Sequence, residues 1–195
     1  TIGSNRADVS HNTVWLNGEH GVLGYDATTT SDRNIVRHNT VRKNDRHGIY
    51  LLSTAPGAVT NALVEGNDVD DNDQEATTTY NGINVSGVPT TGAMVKRNRV
   101  TNETTAVTIG AGVVSALLEG NTYASNTTNI SDAATTTVGL DFIPAASVSV
   151  ASATTVTLPI FNSYFNITGT TTITSVTASW AGRLVVLKFA GILTF

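Results

Sequence analysis

Ile35-Val36-Arg37-His38-Asn39-Thr40-Val41 decides the fold, because this stretch recurs along the chain. Residues 8–14, 63–69, 94–100 and 117–123 repeat its order of apolar, any, any, Asn, any, apolar. The anchors Asn12, Asn39, Asn67, Asn98 and Asn121 stand roughly 23 to 31 residues apart, a spacing typical of solenoid units. The segments are rich in Val, Ile, Thr, Asn and Gly and lack a 3.6-residue period, so the unit is all β. A second Asn follows each anchor, at Asn17, Asn44, Asn72, Asn102 and Asn126. After it comes a further short strand, beginning at Gly21, Gly48, Gly82 and Ala106.

Such a unit predicts a coil that stacks on its equivalents at about 4.8 Å, each strand pairing with the one above and below. Val9, Val36, Val64, Val95 and Leu118 form one inward column, and Val14, Val41, Val69, Val100 and Tyr123 another. The Asn anchors form a ladder at a turn, where each amide donates to one neighbour, accepts from the other and tolerates a left-handed backbone. A buried amide without partners costs about 1–3 kcal/mol, so the ladder has to be continuous. Arg37, Glu65, Lys96 and Glu119 fall in one outward column of alternating sign, which fixes register.

These repeats resemble those of the pectate-lyase-like superfamily of right-handed parallel β-helices, over about the first two thirds of the chain. The resemblance implies about five coils in residues 1–136 and says little about function, because the scaffold carries lyases, hydrolases, epimerases and adhesins. Beyond residue 132 the Asn pattern stops and Thr-rich alternating strands follow, among them 147–150, 155–158, 164–167, 172–176 and 183–189. The run from Phe165 to Val176, then Gly182 to Phe189 and the ending Leu193-Thr194-Phe195, is similar to the C-terminal part of bacteriophage tailspike and tail-fibre proteins. That resemblance implies a trimerising domain over residues 137–195, on a virion tail or otherwise extracellular. A small set of open strands makes a marginal core alone, and copies around a threefold axis would cover their apolar edges. The alternative is that these strands cap the β-helix.

The 195 residues carry a net charge of −4 and 13% charged residues. Phosphate backbones need concentrated Lys and Arg, so no nucleic-acid partner is expected. Apolar runs are too short for membrane insertion by a helix. Without cysteine there is no disulfide or thiolate chemistry. The opening Thr1-Ile2-Gly3-Ser4-Asn5 reads as the interior of a structure, which implies further sequence upstream.

Polysaccharide cleavage needs paired carboxylates, or calcium with a base. The densest acidic cluster is Asp68, Asp70, Asp71, Asp73 and Glu75, with Asp70, Asp73 and Glu75 the candidate catalytic residues. Its spacing is similar to a calcium loop, but Asp73 stands where Gly is required and the bidentate Glu is missing, so no cofactor is expected, with calcium the alternative. His11 falls under His38, His20 under His47, and Glu19 over Arg46 in the repeat alignment. Stacked imidazoles of this kind are turn residues more often than metal ligands. Trp15, Tyr50 and Tyr80 are candidate sugar-stacking residues, with Tyr25 a further aromatic. The expected function is recognition of a bacterial surface glycan by a homotrimeric spike. The alternatives are a polysaccharide lyase, hydrolase or epimerase, and a purely structural trimerisation module.

Overall fold

The computed structural model describes residues 5–26, 30–54, 57–75, 79–134, 136–139, 148–159, 164–177 and 185–191. Residues 1–4, 135, 147, 182–184 and 193–195, which the sequence reading uses, lie outside them. The chain divides into two compact units, Thr1–Leu140 and Asp141–Phe195.

In the first unit each coil visits four sheets in turn. The first coil holds β1 (Asp8–Ser10), β2 (Thr13–Trp15), β3 (Val22–Asp26) and β4 (Thr30–Asp32). The second holds β5 (Ile35–Arg37), β6 (Thr40–Arg42), β7 (Ile49–Ser53) and β8 (Ala58–Thr60). The third holds β9 (Leu63–Glu65), β10 (Asp68–Asp70), β11 (Asn81–Gly87) and β12 (Thr90–Thr91). The fourth holds β13 (Met94–Lys96), β14 (Arg99–Thr101), β15 (Thr105–Ile109) and β16 (Val113–Val114). The last strands are β17 (Ala116–Glu119), β18 (Thr122–Ala124), β19 (Thr128–Asp132) and β20 (Thr137–Gly139). Equivalent strands pair in parallel, in the orders β1-β5-β9-β13-β17-β20, β2-β6-β10-β14-β18, β3-β7-β11-β15-β19 and β4-β8-β12-β16. We call these sheets 1 to 4. The sequence reading ends this unit at residue 136, but Thr137, Val138 and Gly139 pair with Ala116, Leu117 and Leu118 and extend it.

The short strands alternate in burial, so their central residues fill the core and their neighbours face out. Val36, Val64, Val95 and Leu118 are buried in sheet 1, and Val41, Val69, Val100 and Tyr123 in sheet 2. Ile49, Ile83 and Val107 close the core from sheet 3.

Three corners turn the coil, each made by one left-handed residue followed by a residue that points in. His11, His38, Gly66, Arg97 and Gly120 make the first, Leu16, Lys43, Asp71, Asn102 and Ser125 the second, and Arg6, Arg33, Asn61, Gly92 and Ser115 the third. All fifteen have φ between 51° and 68°. The sequence reading puts this conformation on the ladder Asn itself; it sits one residue earlier, which turns the Asn amide inward. At the first corner Asn12 Nδ2 donates to Asn39 Oδ1, Asn39 to Asn67, Asn67 to Asn98 and Asn98 to Asn121, at 2.9–3.1 Å. Each accepting oxygen also takes the backbone N–H of the preceding Asn.

The second corner carries a similar ladder with one substitution. Asn17 donates to Asn44 and Asn44 to Asn72, but Asn72 donates to Glu103 Oε1 at 2.8 Å. The expected member Asn102 is instead the left-handed residue, and its amide reaches outward to Asp70 Oδ1. Glu103 is 2% exposed, and its Oε2 finds no hydrogen-bond partner among the described residues. The third corner uses small residues, with Ala62, Ala93 and Ala116 buried behind Asn34.

The outward charge column of sheet 1 is in register, yet only Lys96 and Glu119 of it pair with each other, at 2.9 Å. Arg37 turns to Asp8 at 2.6 Å and Glu65 to Arg97 at 3.3 Å. Beside it runs an aliphatic column, Ile35, Leu63, Met94, Leu117 and Val138, on the solvent side of the same sheet.

The second unit is built of β21 (Val148–Ala151), β22 (Thr155–Thr157), β23 (Tyr164–Thr168), β24 (Ser175–Thr177) and β25 (Val186–Phe189). The sequence reading makes these open strands that need neighbouring chains to cover them. They coil instead: β21-β23-β25 form one parallel sheet and β22-β24 another. Val156, Leu158, Phe165, Ile167 and Ile173 are enclosed between them, with Val148, Val150, Leu187 and Phe189 packed around.

Candidate functional site

The corner between sheets 2 and 3 gathers the chemistry-bearing side chains of the first unit. Residues 16–21 and 43–48 make this corner in the first two coils, and residues 102–104 suffice in the fourth. In the third coil β10 ends at Asp70 and β11 begins at Asn81, and Tyr80, just before β11, lies against residues of the first two coils. Tyr80 meets His47 edge-on at 5.0 Å between ring centres and His20 at 6.2 Å. His20 and His47 stack at 5.2 Å and 10°, and Tyr50 tilts against both, at 4.9 and 4.5 Å. Arg46 lies over the Tyr80 ring at 5.7 Å and is held by Glu19 and Glu75.

His20 and His47 are neutral near pH 7. Burial, with His20 beside it, pulls the pKa of His47 down to about 4; burial also lowers that of His20. The backbone N–H of Asn81 donates to His47 Nδ1 at 2.8 Å. A neutral imidazole whose Nδ1 accepts keeps its proton on Nε2. Asn84 Nδ2 stands 3.3 Å from Nε2, and exchanging the amide's nitrogen and oxygen would let Oδ1, which has no partner among the described residues, accept the Nε2–H. His20 Nδ1 is buried with no partner among the described residues. The result is a patch of uncharged ring faces, partly open to solvent, rimmed by a fixed guanidinium.

The acidic candidates do not converge. Asp70 accepts from Thr101 Oγ1 and Asn102 Nδ2, both at 2.8 Å. Burial would raise its pKa, but these bonds together with Arg42 and Arg99 hold it below the ordinary carboxylate range. Asp73 is buried in the corner with φ 66°, and Glu75 pairs with Arg46 at 3.5 Å. Asp68 is taken by Arg99 at 2.7 Å and Arg42 at 3.6 Å. Among the described residues no three His, Asp or Glu side chains are grouped so as to hold a metal ion.

Of the aromatic candidates, Tyr50 and Tyr80 come together in the cluster, whereas Trp15 stands on sheet 2 and is 59% exposed. His11 and His38 lie 5.4 Å apart at the first corner, away from the tyrosines in sequence and sheet. Sequence reasoning misses Glu103, whose pKa burial raises to about 7. A signal exists for it: Glu103 lies 23 residues before Asn126, the same step that separates Asn98 from Asn121.

A family model described as "Right handed beta helix region" matches residues 1–91. The first unit is a right-handed parallel β-helix. This architecture is found among proteins that bind or modify carbohydrates, and by itself it assigns no single activity. Neither the curated proteins nor the solved structures yielded a match. No helix of the described residues is long and apolar enough to cross a membrane.

Proposed function

We propose that this chain recognises a bacterial surface polysaccharide, with the Tyr50, Tyr80, His20 and His47 corner as the platform on which sugar rings stack. The observation that carries this reading is the neutral aromatic cluster itself. Ring faces without charge suit the apolar side of a pyranose, and the Arg46 rim supplies donors for hydroxyl groups. The separate engagement of Asp70, Asp73 and Glu75 favours binding over cleavage, since hydrolysis needs two carboxylates facing one bond. On this reading the chain is part of a trimeric tailspike or tail fibre on a virion. The aliphatic column of sheet 1 supports assembly with further copies, because stacked half-buried Ile, Leu and Met side chains gain by being covered.

Titration of the chain with bacterial capsular oligosaccharides tests the platform. Tyr50→Ala and Tyr80→Ala together are expected to weaken binding by about 10- to 100-fold, from about 0.5–1.5 kcal/mol for each lost ring contact. Unchanged affinity in the double variant contradicts the platform. A solution mass of one chain contradicts the trimer.

A further inference from the structure

Sheet 2 carries a second constellation that the aromatic corner does not use. Trp15 and Arg42 are register partners on β2 and β6, and Thr13 and Thr40 are the pair beside them. Val14 and Val41 between these residues point inward, so all four side chains face out. Lys43 follows at the left-handed corner position, with φ 52°. These five residues line an open depression of about 520 Å³.

Its chemistry is specific. An indole face lies uncovered, two hydroxyls stand beside it, and two cations close one side without an acidic residue in the lining. Arg42 has Asp68 as its nearest carboxylate, at 3.6 Å, and its Nε is without a hydrogen-bond partner among the described residues. Lys43 forms no ion pair among the described residues, and its backbone N–H donates to the backbone carbonyls of Asp70 and Asp71. Arg42 shares the single carboxylate of Asp68 with Arg99, and Lys43 has no ion pair among the described residues, so positive charge is left over beside an exposed tryptophan, which suits an anion attached to an apolar ring face.

We propose that this depression is a subsite for a sugar that carries an anionic substituent. The indole of Trp15 packs on the ring, the Arg42 guanidinium and Lys43 ammonium hold a carboxylate or phosphate, and Thr13 and Thr40 bond to ring hydroxyls. The proposal rests on the glycan reading given above and narrows its ligand to an acidic glycan.

The test uses the full chain on an immobilised panel of acidic bacterial capsular oligosaccharides, each beside its carboxyl-reduced or dephosphorylated form. The acidic form is expected to bind about tenfold more tightly than its neutral counterpart, through charge-assisted hydrogen bonds, and to lose that margin at high salt. Arg42→Gln combined with Lys43→Asn abolishes the margin, while Trp15→Ala and Tyr50→Ala weaken both forms. Asn is chosen at position 43 because it accepts the left-handed backbone, and an unchanged melting temperature shows that each variant folds. Equal binding of the two forms, or a margin that persists in the Arg42 and Lys43 variant, overturns the subsite and leaves the glycan reading standing. Absence of binding to every member overturns both.

Discussion

The two units of this chain are both parallel solenoids, and they hold their coils by different means. In the first, Asn39, Asn67 and Asn98 are buried and each satisfies its neighbours on both sides. In the second, buried Phe165 and Ile167 carry the centre, while hydroxyls supply side-chain hydrogen bonds between coils, as from Ser175 Oγ to Thr155 Oγ1 and from Thr171 N–H to Ser152 Oγ. An amide in a ladder donates and accepts with fixed geometry, so it sets the phase of a coil whatever the length of its loops. The steps of the first ladder, 27, 28, 31 and 23 residues, show how much variation that phase absorbs. The longest step contains the connection that delivers Tyr80 to the candidate site.

Cutting the ladder breaks this contrast most sharply. Asn67→Ala leaves the buried backbone N–H of Asn39 without its acceptor and removes one hydrogen bond each from the Asn39 amide, the Val36 carbonyl and the Asn98 oxygen, of which the Asn39 amide and the Asn98 oxygen keep others. Four lost hydrogen bonds at about 0.5–1.5 kcal/mol each, with the Asn39 N–H left buried and unpaired, predict a loss on the order of 5 kcal/mol, read from denaturant unfolding. A loss below about 1 kcal/mol would show that the ladder is incidental to an apolar core. Phe165→Ala asks the reverse question of the second unit, with an expected cost of about 4 kcal/mol, read as lost amide-exchange protection in β21, β23 and β25. Retained protection there would mean that the hydroxyl contacts, not the ring, organise those strands.

The substituted rung gives the third comparison. Glu103 has its pKa raised in the folded state by burial, to about 7, against an ordinary value of 4.5. The folded state therefore holds this proton more tightly than the unfolded state, and stability falls as pH rises from about 4.5 to 7. Glu103→Gln keeps the acceptor for Asn72 and removes the charge, so it should gain up to about 3 kcal/mol at pH 8 and nothing at pH 4. Buried His20 and His47 act in the opposite sense as pH falls, but they are common to both proteins, so the difference in melting profiles isolates Glu103. Parallel profiles would contradict the account of this rung.

These contrasts explain what the sequence could disclose. The first ladder is legible because one residue type recurs between apolar positions, at a phase that no loop disturbs. The second is legible until an acid replaces an amide: Asn102 stands one residue early and draws the reading away from Glu103. The third corner is silent, since Ala62, Ala93 and Ala116 fill space without a distinctive side chain. Coiling of the second unit is hidden because alternation of Thr with apolar residues fixes which side faces in and not which strand pairs with which. Within the site, the stacking of His20 on His47 follows from the repeat alignment alone. The approach of Tyr80 does not, because the repeat alignment pairs Tyr80 with no residue of the neighbouring coils.

Ring resonances offer the most direct test of the central claim. Titration of a bound capsular oligosaccharide, followed by NMR of assigned aromatic signals, is predicted to move Tyr50, Tyr80, His20 and His47 together. Tyr25 and Tyr164, which lie outside the cluster, should keep their positions. An oligosaccharide that binds and leaves the four corner rings unmoved would contradict the assignment of the sugar platform to this corner.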